Sequence, residues 1–347
     1  MRDYESPLRY VGPVPLITRR QGLRMAIGAC AAGTLAGCAA GSGSGDLLRL
    51  AHTMDRQHPV HLAMVEFGRQ LQELSGGAMT VTVFPNGQLG TERELVELVQ
   101  IGAISMTKVS TLSLENFAEP MKVYSLPYVF NDSEHLWRVL EGDVGREVLA
   151  SLEPILLKGM GYYDAGARSF YMKEGPVNVP EDIRGKTVRV LSSEALVQTI
   201  EAFGGAAAPI AFGELYAALQ QGVVDGEENN PPSLLSAKHF EVCKYYSLDE
   251  HVAAPDAVVM NQAQWAALPA QRREWVQEAM DRSVAFQRKA WREATQDAFS
   301  QLEANGVTIN RPDKAPFRAA VAGLKASFDG TPVGRLAERI EALGGEA

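Results

Sequence analysis

Apolar residues recur along residues 47–165 with two different spacings, and these predict strands and helices in alternation. A spacing of two predicts short strands, because successive side chains of a strand face opposite sides of a sheet, at residues 47–51, 79–84 and 104–109. A spacing of three and four predicts amphipathic helices, at residues 60–74 and 92–102. The alternation predicts an α/β lobe built on a largely parallel sheet.

Polar residues stand where these predicted strands end. They are His52 and Thr53 after the first strand, the loop at residues 90–93, and residues 110–113. Ligands bind sheets of this kind outside the carboxyl ends of the strands. We therefore expect these positions of the first lobe to contribute to a binding site.

A second region with the same alternation begins near residue 161. Its apolar spacings predict strands at residues 162–165, 168–172, 186–190 and 206–208. They predict helices at residues 193–203, 212–221 and 233–244. This region forms a second α/β lobe, and a strand at residues 258–260 is expected to return to the first lobe.

The longest stretch in which apolar residues recur with helical spacing is residues 269–303. It predicts one helix with no Gly or Pro in its interior. At about 1.5 Å per residue the helix is roughly 50 Å long, so we expect it to brace both lobes. The predicted organisation is a signal peptide at 1–37, a tether at 38–46, lobe I at 47–165, lobe II at 166–255, and a return to lobe I with bracing helices at 256–347.

A polar turn in the second lobe is the first candidate for binding chemistry. The Asp225-Gly226 turn is predicted to present four polar residues together, Glu227, Glu228, Asn229 and Asn230. Two arginines lie upstream, Arg168 and Arg189, the second at the end of a predicted strand. A guanidinium offers two parallel hydrogen bonds to one carboxylate, so this combination suits a small organic acid.

The charge balance narrows the class of partner. The chain has 347 residues, 22% charged residues and a net charge of −9, and its first 37 residues hold an excess of arginine. The body is therefore acidic, which argues against nucleic acid as a partner. An anionic ligand would then need a specific basic pocket.

The N-terminal residues have the pattern of an export signal. Residues 18–24 resemble a twin-arginine motif, with Gly22 in place of the usual bulky apolar residue, and an apolar stretch follows at residues 25–36. Leu35-Ala36-Gly37-Cys38 matches a lipobox, which predicts lipidation of Cys38 and a periplasmic protein held to the membrane only by its lipid. The alternative is a simple export signal cut elsewhere.

Motifs for catalysis, metals and cofactors are not found. The sequence contains no Gly-x-Ser-x-Gly, Walker loop, dinucleotide fingerprint or zinc motif. His58 and His61 have a spacing of three, but no third ligand stands nearby in the sequence. We therefore predict neither an enzyme nor a bound cofactor.

The pattern as a whole resembles the periplasmic solute-binding subunit of tripartite ATP-independent periplasmic (TRAP) transporters. The resemblance covers about residues 47–345, and its most specific motifs are Asn86-Gly-Gln-Leu-Gly90, Leu126-Pro-Tyr128 and residues 180–189 and 212–230. It implies a two-lobed periplasmic-binding-protein fold with crossing hinge strands and a long helix. It also implies capture of an organic anion by hinge closure, and delivery to a membrane permease without catalysis.

The resemblance implies roles for individual residues. Arg189 matches the arginine that clamps the ligand carboxylate, and Arg168 matches a second arginine. Asn229 matches an amide that closes over the ligand, Phe212 matches an aromatic wall, and Glu92 matches an acidic acceptor for ligand hydroxyls. First-lobe contacts are matched by Ser110, Thr111 and His52 or Thr53.

Two departures from the family pattern favour a hydroxylated ligand. Glu227 stands where glutamine is usual, and Asn230 stands where proline is common, which resembles family members that take hexuronates. His58, Glu92 and Asn230 could read the hydroxyl groups. The alternatives are a C4-dicarboxylate or other small organic acid as ligand, a tethered receptor that signals to a sensor, and a hydrolase acting on uronates.

Overall fold

The computed structural model describes residues 46–345. The predicted signal peptide, the lipobox with Cys38 and nearly all of the predicted tether lie outside the described residues. Within residues 46–345, no helix is both long and apolar enough to cross a bilayer.

The described chain contains helices and strands in alternation. The strands are β1 (Asp46–Ala51), β2 (Met79–Phe84), β3 (Met106–Ser110), β4 (Leu157–Tyr163), β5 (Arg168–Met172), β6 (Thr187–Val190), β7 (Ala206–Pro209), β8 (Gly226–Asn229), β9 (Tyr245–Val252), β10 (Asp256–Asn261) and β11 (Thr308–Asn310). The helices are α1 (Pro59–Leu74), α2 (Glu92–Gln100), α3 (Thr111–Leu114), α4 (Ser133–Glu141), α5 (Asp143–Ala150), α6 (Glu194–Ala202), α7 (Leu215–Gln221), α8 (Pro231–Ser236), α9 (Gln262–Ala267), α10 (Ala270–Ala304), α11 (Ala315–Ala320), α12 (Ala322–Ala326) and α13 (Pro332–Gly344).

The first sheet has the strand order β2-β1-β3-β10-β4. Strands β1, β2 and β3 are parallel, while β10 runs antiparallel to both of its neighbours. Apolar side chains of α1 and α10 pack together in one core cluster of this sheet, and those of α2, α4, α5 and α13 pack in the other. Helix α2 begins at a capping box between Thr91 and Glu94. The predicted first α/β lobe is thus confirmed.

The second sheet has the strand order β11-β9-β5-β8-β6-β7. Strand β5 is antiparallel to β8 and β9, whereas β6 is parallel to β7 and β8. Its two core clusters include side chains of α6 and α11 in one and of α7, α8 and the end of α10 in the other. The chain is therefore a two-lobed α/β protein, as predicted.

The connections between the lobes include two short segments and one long helix. Residues 164–167 lead from β4 to β5, and residues 253–255 lead from β9 to β10. Gly166 has a φ of +61°, and a Cβ there would lie 3.2 Å from Trp291 Nε1, so the first crossing needs a glycine. Helix α10 spans 35 residues and packs Met280 in a core cluster of the first sheet and Leu302 in one of the second. The lobe-spanning helix is thus confirmed.

Residues 227–229 form a central strand instead of the expected turn. They belong to β8, which lies between β5 and β6 with every residue buried. Charged residues gave no strand signal, because only long-range partners make their burial tolerable. Strand β9 was missed for the same reason, since it also carries charged residues. The helix expected at 233–244 ends at Ser236, and Lys238 has a left-handed φ of 59°.

Residues 256–345, predicted to return to lobe I and to supply bracing helices, contribute to both sheets. Strand β10 and helix α13 pack with the first sheet. Strand β11, in contrast, pairs with β9 of the second sheet, and Phe317 lies in a core cluster of that sheet. Helix α10 is long enough to carry the chain to the second lobe, where β11 adds an edge strand.

Candidate ligand-binding site

A cavity of about 430 Å³ is lined by residues of both lobes. This volume suits a small organic molecule. Eight of the eleven predicted binding residues line the cavity: Thr53, His58, Glu92, Ser110, Arg168, Phe212, Asn229 and Asn230. The other three, His52, Thr111 and Arg189, are fully buried and are not among the lining residues.

Arg168 is the buried cation that the second lobe presents to the cavity. Its Nε and Nη2 donate to the Glu228 carboxylate, Nη2 also donates to the Glu228 carbonyl at 2.6 Å, and Nη1 donates to Asn229 Oδ1 at 3.1 Å. A guanidinium has five N–H groups, so one N–H on Nη1 has no acceptor within the described chain. Arg168 is therefore rigidly held and can still donate to a ligand.

Behind Arg168, a buried histidine supports the carboxylate of Glu228. His251 Nδ1 lies 2.7 Å from Asp249 Oδ2, and His251 Nε2 lies 3.6 Å from Glu228 Oε2. Burial alone would lower the pKa of His251, but Asp249 and Glu228 outweigh burial and raise this pKa to about 9. The imidazolium thus compensates two buried carboxylates and holds Glu228 against Arg168.

The raised pKa of His251 predicts a loss of stability at alkaline pH. The folded protein holds this proton more tightly than the unfolded chain, so the stabilisation is fully present below about pH 6.5 and is lost as the pH rises through about 9. We expect the free energy of unfolding in urea to fall by roughly 3 kcal/mol over this range. His251→Gln should flatten that part of the profile; an unchanged slope in the variant would contradict the assignment.

Arg189 lies behind the cavity wall. Its Nε donates to the carbonyl of Ile210 at 2.8 Å, its Nη1 is ion-paired with Glu227, and its Cζ lies 5.9 Å from the ring centroid of Phe212. Its Nη2 has no hydrogen-bond partner within residues 46–345. Glu227, which stands where glutamine is usual in the family that the sequence resembles, pairs with this guanidinium inside the sheet. A direct clamp of the ligand carboxylate by Arg189 stays a prediction.

In the first lobe, a buried lysine organises the cavity wall. Lys108 Nζ lies 3.1 Å from Glu92 Oε1 and 3.0 Å from Asp256 Oδ2. Burial alone would raise the pKa of Glu92, but Lys108 and hydrogen bonds from Ser113 and Ser110 lower it on balance. Glu92 is therefore an ionised acceptor in the cavity.

His58 and Thr53 add polar atoms from the first lobe. His58 Nδ1 accepts from the backbone of Val60 as the N-cap of α1, and its Nε2 lies 3.4 Å from Ser233 Oγ of the second lobe. Burial lowers the pKa of His58 to about 3, so the ring is neutral. The Oγ1 of Thr53 is buried without a hydrogen-bond partner in the described chain, so its hydroxyl is free for a ligand atom.

His52 and Thr111 satisfy groups of the protein itself. His52 accepts from the backbone of Met54 at 3.1 Å and contacts His61, while the hydroxyl of Thr111 donates to the carbonyl of Pro255 at 2.8 Å. Both side chains thus bond the protein itself, His52 within the first lobe and Thr111 to the crossing segment 253–255. Sequence reasoning placed them at strand ends correctly but could not tell which way each side chain points.

Among the cavity-lining residues that the sequence did not predict are Lys108, Asp256 and Trp291. A lysine in the apolar strand at residues 104–109 was a usable signal, because a buried lysine needs a partner carboxylate. Asp256 and Trp291 gave no such signal, because their proximity to the cavity depends on the return of the chain through β10 and α10. Within residues 46–345, no group of three or more His, Cys, Asp or Glu side chains could hold a metal ion.

Comparison with known sequences identifies the family. Residues 50–330 match the family model described as bacterial extracellular solute-binding protein, family 7. An uncharacterized protein of Salmonella typhimurium, YiiZ, is 39% identical over 277 residues, which cover 79% of this chain and 84% of that protein.

Solved structures share the fold over nearly their whole length. A TRAP periplasmic solute-binding protein of Anaerococcus prevotii with bound α/β-D-glucuronate is 34% identical, with a TM-score of 0.85 over 87% of this chain and 99% of that one. A homologue from a Bradyrhizobium species in complex with α/β-D-galacturonate is 37% identical, with a TM-score of 0.83 over 85% and 99%. The chain therefore belongs to family 7 of the bacterial extracellular solute-binding proteins, the periplasmic binding subunits of TRAP transporters.

Proposed function

We propose that this protein captures a hexuronate, such as D-glucuronate or D-galacturonate, in the periplasm and delivers it to TRAP permease subunits. One observation carries the proposal: a single cavity combines a buried arginine that has a free N–H with a first-lobe wall that holds the ionised carboxylate of Glu92 and the carboxyl group of Asp256. The arginine suits one carboxylate of a ligand, and the acidic side chains suit several ligand hydroxyls, which donate hydrogen bonds. Relatives with the same fold hold glucuronate or galacturonate.

The ligand carboxylate would lie on Arg168, and its hydroxyls would face Glu92 and Asn230. Asn230 Oδ1 caps α8 by accepting from Ser233 N at 2.9 Å, which leaves its amide group as a donor. Because each lobe supplies some of the contacts to the ligand, a bound acid stabilises the closed arrangement of the lobes more than an open one. Binding and hinge closure are thus the same event.

We infer that the site binds its ligand without changing it. The acidic side chains that line the cavity near Arg168 are engaged with cations, as Glu92 and Asp256 are with Lys108. Glu92 is ionised and ion-paired, and such a carboxylate is a poor proton donor, whereas hydrolysis of a glycoside needs a protonated acid as well as a base or nucleophile. The arrangement favours recognition over general acid catalysis.

The remaining parts of the proposal concern the membrane. Family members work outside the cytoplasm, and we propose that the mature chain is held there through a lipid on Cys38. Its partners would be the two integral-membrane subunits of a TRAP permease. A receptor that signals to a sensor would use the same cavity, and permease genes beside this gene would favour transport.

The test is calorimetric titration of the purified protein with D-glucuronate, D-galacturonate, L-malate and succinate. We expect a hexuronate to bind most tightly and, at 100 times its dissociation constant, to stabilise the fold by about 2.7 kcal/mol. Nuclear magnetic resonance of the mixture should return the acid unchanged. If L-malate or succinate binds more tightly, the ligand is a C4-dicarboxylate and not a hexuronate. Turnover of the acid would establish an enzyme.

A further inference from the structure

The first-lobe wall of the cavity carries more negative than positive charge. Lys108 is 2% exposed and lies between two carboxylates, those of Glu92 and Asp256. Strands β3 and β10 bring them together, since Asp256 is paired with Ser110 in the antiparallel ladder. One lysine between two carboxyl groups leaves an excess of one negative charge in this cluster when both groups are ionised.

The two carboxylates differ in their remaining capacity to accept hydrogen bonds. Glu92 already accepts from Lys108, from the backbone of Ser110 at 3.3 Å and from the hydroxyl of Ser113 at 2.8 Å. Asp256 lines the cavity and contacts Lys108 through Oδ2, while its Oδ1 has no donor within residues 46–345. Since a carboxylate can accept about four hydrogen bonds, Asp256 can accept more hydrogen bonds than the protein supplies.

Asp256 and Arg168 stand in matching places beside the two crossings between the lobes. Arg168 is the first residue of β5 and pairs with Val252, the last residue of β9. Asp256 is the first residue of β10 and pairs with Tyr163, the last residue of β4. The hinge therefore holds a cation on the side of the second lobe and an anion on the side of the first, both lining one cavity.

We propose that Asp256 is a specificity-determining residue that selects hydroxylated monocarboxylates over dicarboxylates. With the ligand carboxylate on Arg168, Asp256 Oδ1 accepts a hydrogen bond from a ligand hydroxyl. A second carboxylate at that end would meet the excess negative charge of the Asp256, Lys108 and Glu92 cluster. The inference rests on the proposed function, whose site it refines.

The experiment compares Asp256→Asn with the wild-type protein, by calorimetric titration with D-glucuronate and L-malate. Asparagine has the same size and keeps an oxygen acceptor, but it removes the charge and adds N–H donors. Burial and the nearby Glu92 raise the pKa of Asp256 while Lys108 opposes that shift, so the titrations are run at about pH 8, which favours the carboxylate form. We expect the preference for D-glucuronate over L-malate to fall at least about tenfold in the variant.

Asp164→Asn is the matched control. Asp164 is 6% exposed, as is Asp256, and it too stands beside a crossing between the lobes, but it is not among the residues that line the cavity. Its variant should keep the ratio of the two dissociation constants within about twofold, because the Asp164 side chain bonds Trp137 and Gly166 and does not line the cavity. Urea unfolding of the apo proteins checks that each variant is folded. If Asp256→Asn does not fold, Asp256→Ser takes its place.

The outcomes separate this inference from the proposed function. A wild-type preference for L-malate overturns both. A wild-type preference for D-glucuronate, with an unchanged ratio in the Asp256 variant or an equal change in the Asp164 control, overturns the specificity role alone. A ratio that shifts only in the Asp256 variant supports it.

Discussion

Replacement of Arg168 by methionine should weaken D-glucuronate binding by at least about 100-fold, equivalent to roughly 3 kcal/mol. The variant loses the buried guanidinium that lines the cavity and leaves Glu228 without its principal ion pair. A charge-assisted hydrogen bond in a desolvated cavity is worth more than one in water, and methionine can replace neither the charge nor the donors. Calorimetric titration measures the effect. A dissociation constant within about threefold of the wild-type value would remove Arg168 from the site.

Two further variants separate binding from folding in this prediction. Arg168→Met alone should also destabilise the apo protein, since it leaves the buried carboxylate of Glu228 with only His251, at 3.6 Å, as its cation. Arg168→Met combined with Glu228→Gln removes both charges and should recover most of that stability in urea unfolding without recovering affinity. Arg168→Lys keeps the charge but loses the planar fork, so its affinity should lie between those of the wild type and the methionine variant.

Replacement of Arg189 by methionine should cost about 3–5 kcal/mol of unfolding free energy in the ligand-free protein. Arg189 and Glu227 are both fully buried and ion-paired with each other, so the single variant leaves a carboxylate in the core without its cation. Arg189→Met with Glu227→Gln should recover most of this loss. Urea unfolding at neutral pH measures both effects.

The same double variant decides how Arg189 contributes to binding. In the structure Arg189 lies behind Ile210 and Phe212, so the double variant should bind D-glucuronate within about tenfold of the wild type. A stable double variant that binds no acid would instead show that Arg189 reaches the ligand directly, as the family resemblance implies. The two variants thus separate a structural ion pair from a carboxylate clamp.

The sequence predicted those parts of the fold whose stability comes from apolar periodicity. Strands β1 and β2 and helices α1 and α10 lie within a residue or two of their predicted bounds, because each buries a regular apolar face. Strand β8 could not be predicted in this way. Its residues are charged or polar, and they are buried because Arg168 and Arg189 from two neighbouring strands neutralise Glu228 and Glu227.

The site was predictable in its membership more than in its geometry. Residue types and motif resemblance selected eight of the residues that line the cavity, among them Arg168 and Glu92. They could not show that Glu227 pairs with Arg189, since that depends on which face of β8 each carboxylate occupies. They also could not find Asp256, because its neighbour Lys108 is 148 residues away in the chain and the two meet only through the β3–β10 ladder.

The position of β10 has a consequence for the order in which the chain can fold. This strand lies between β3 and β4 in the first sheet, yet it follows the central strands of the second sheet in the chain. During synthesis, the first lobe therefore lacks a central strand until residues 256–261 have emerged, and its two flanking strands present open edges until then. Contacts this distant in sequence close slowly, so the two lobes must mature together rather than one after the other.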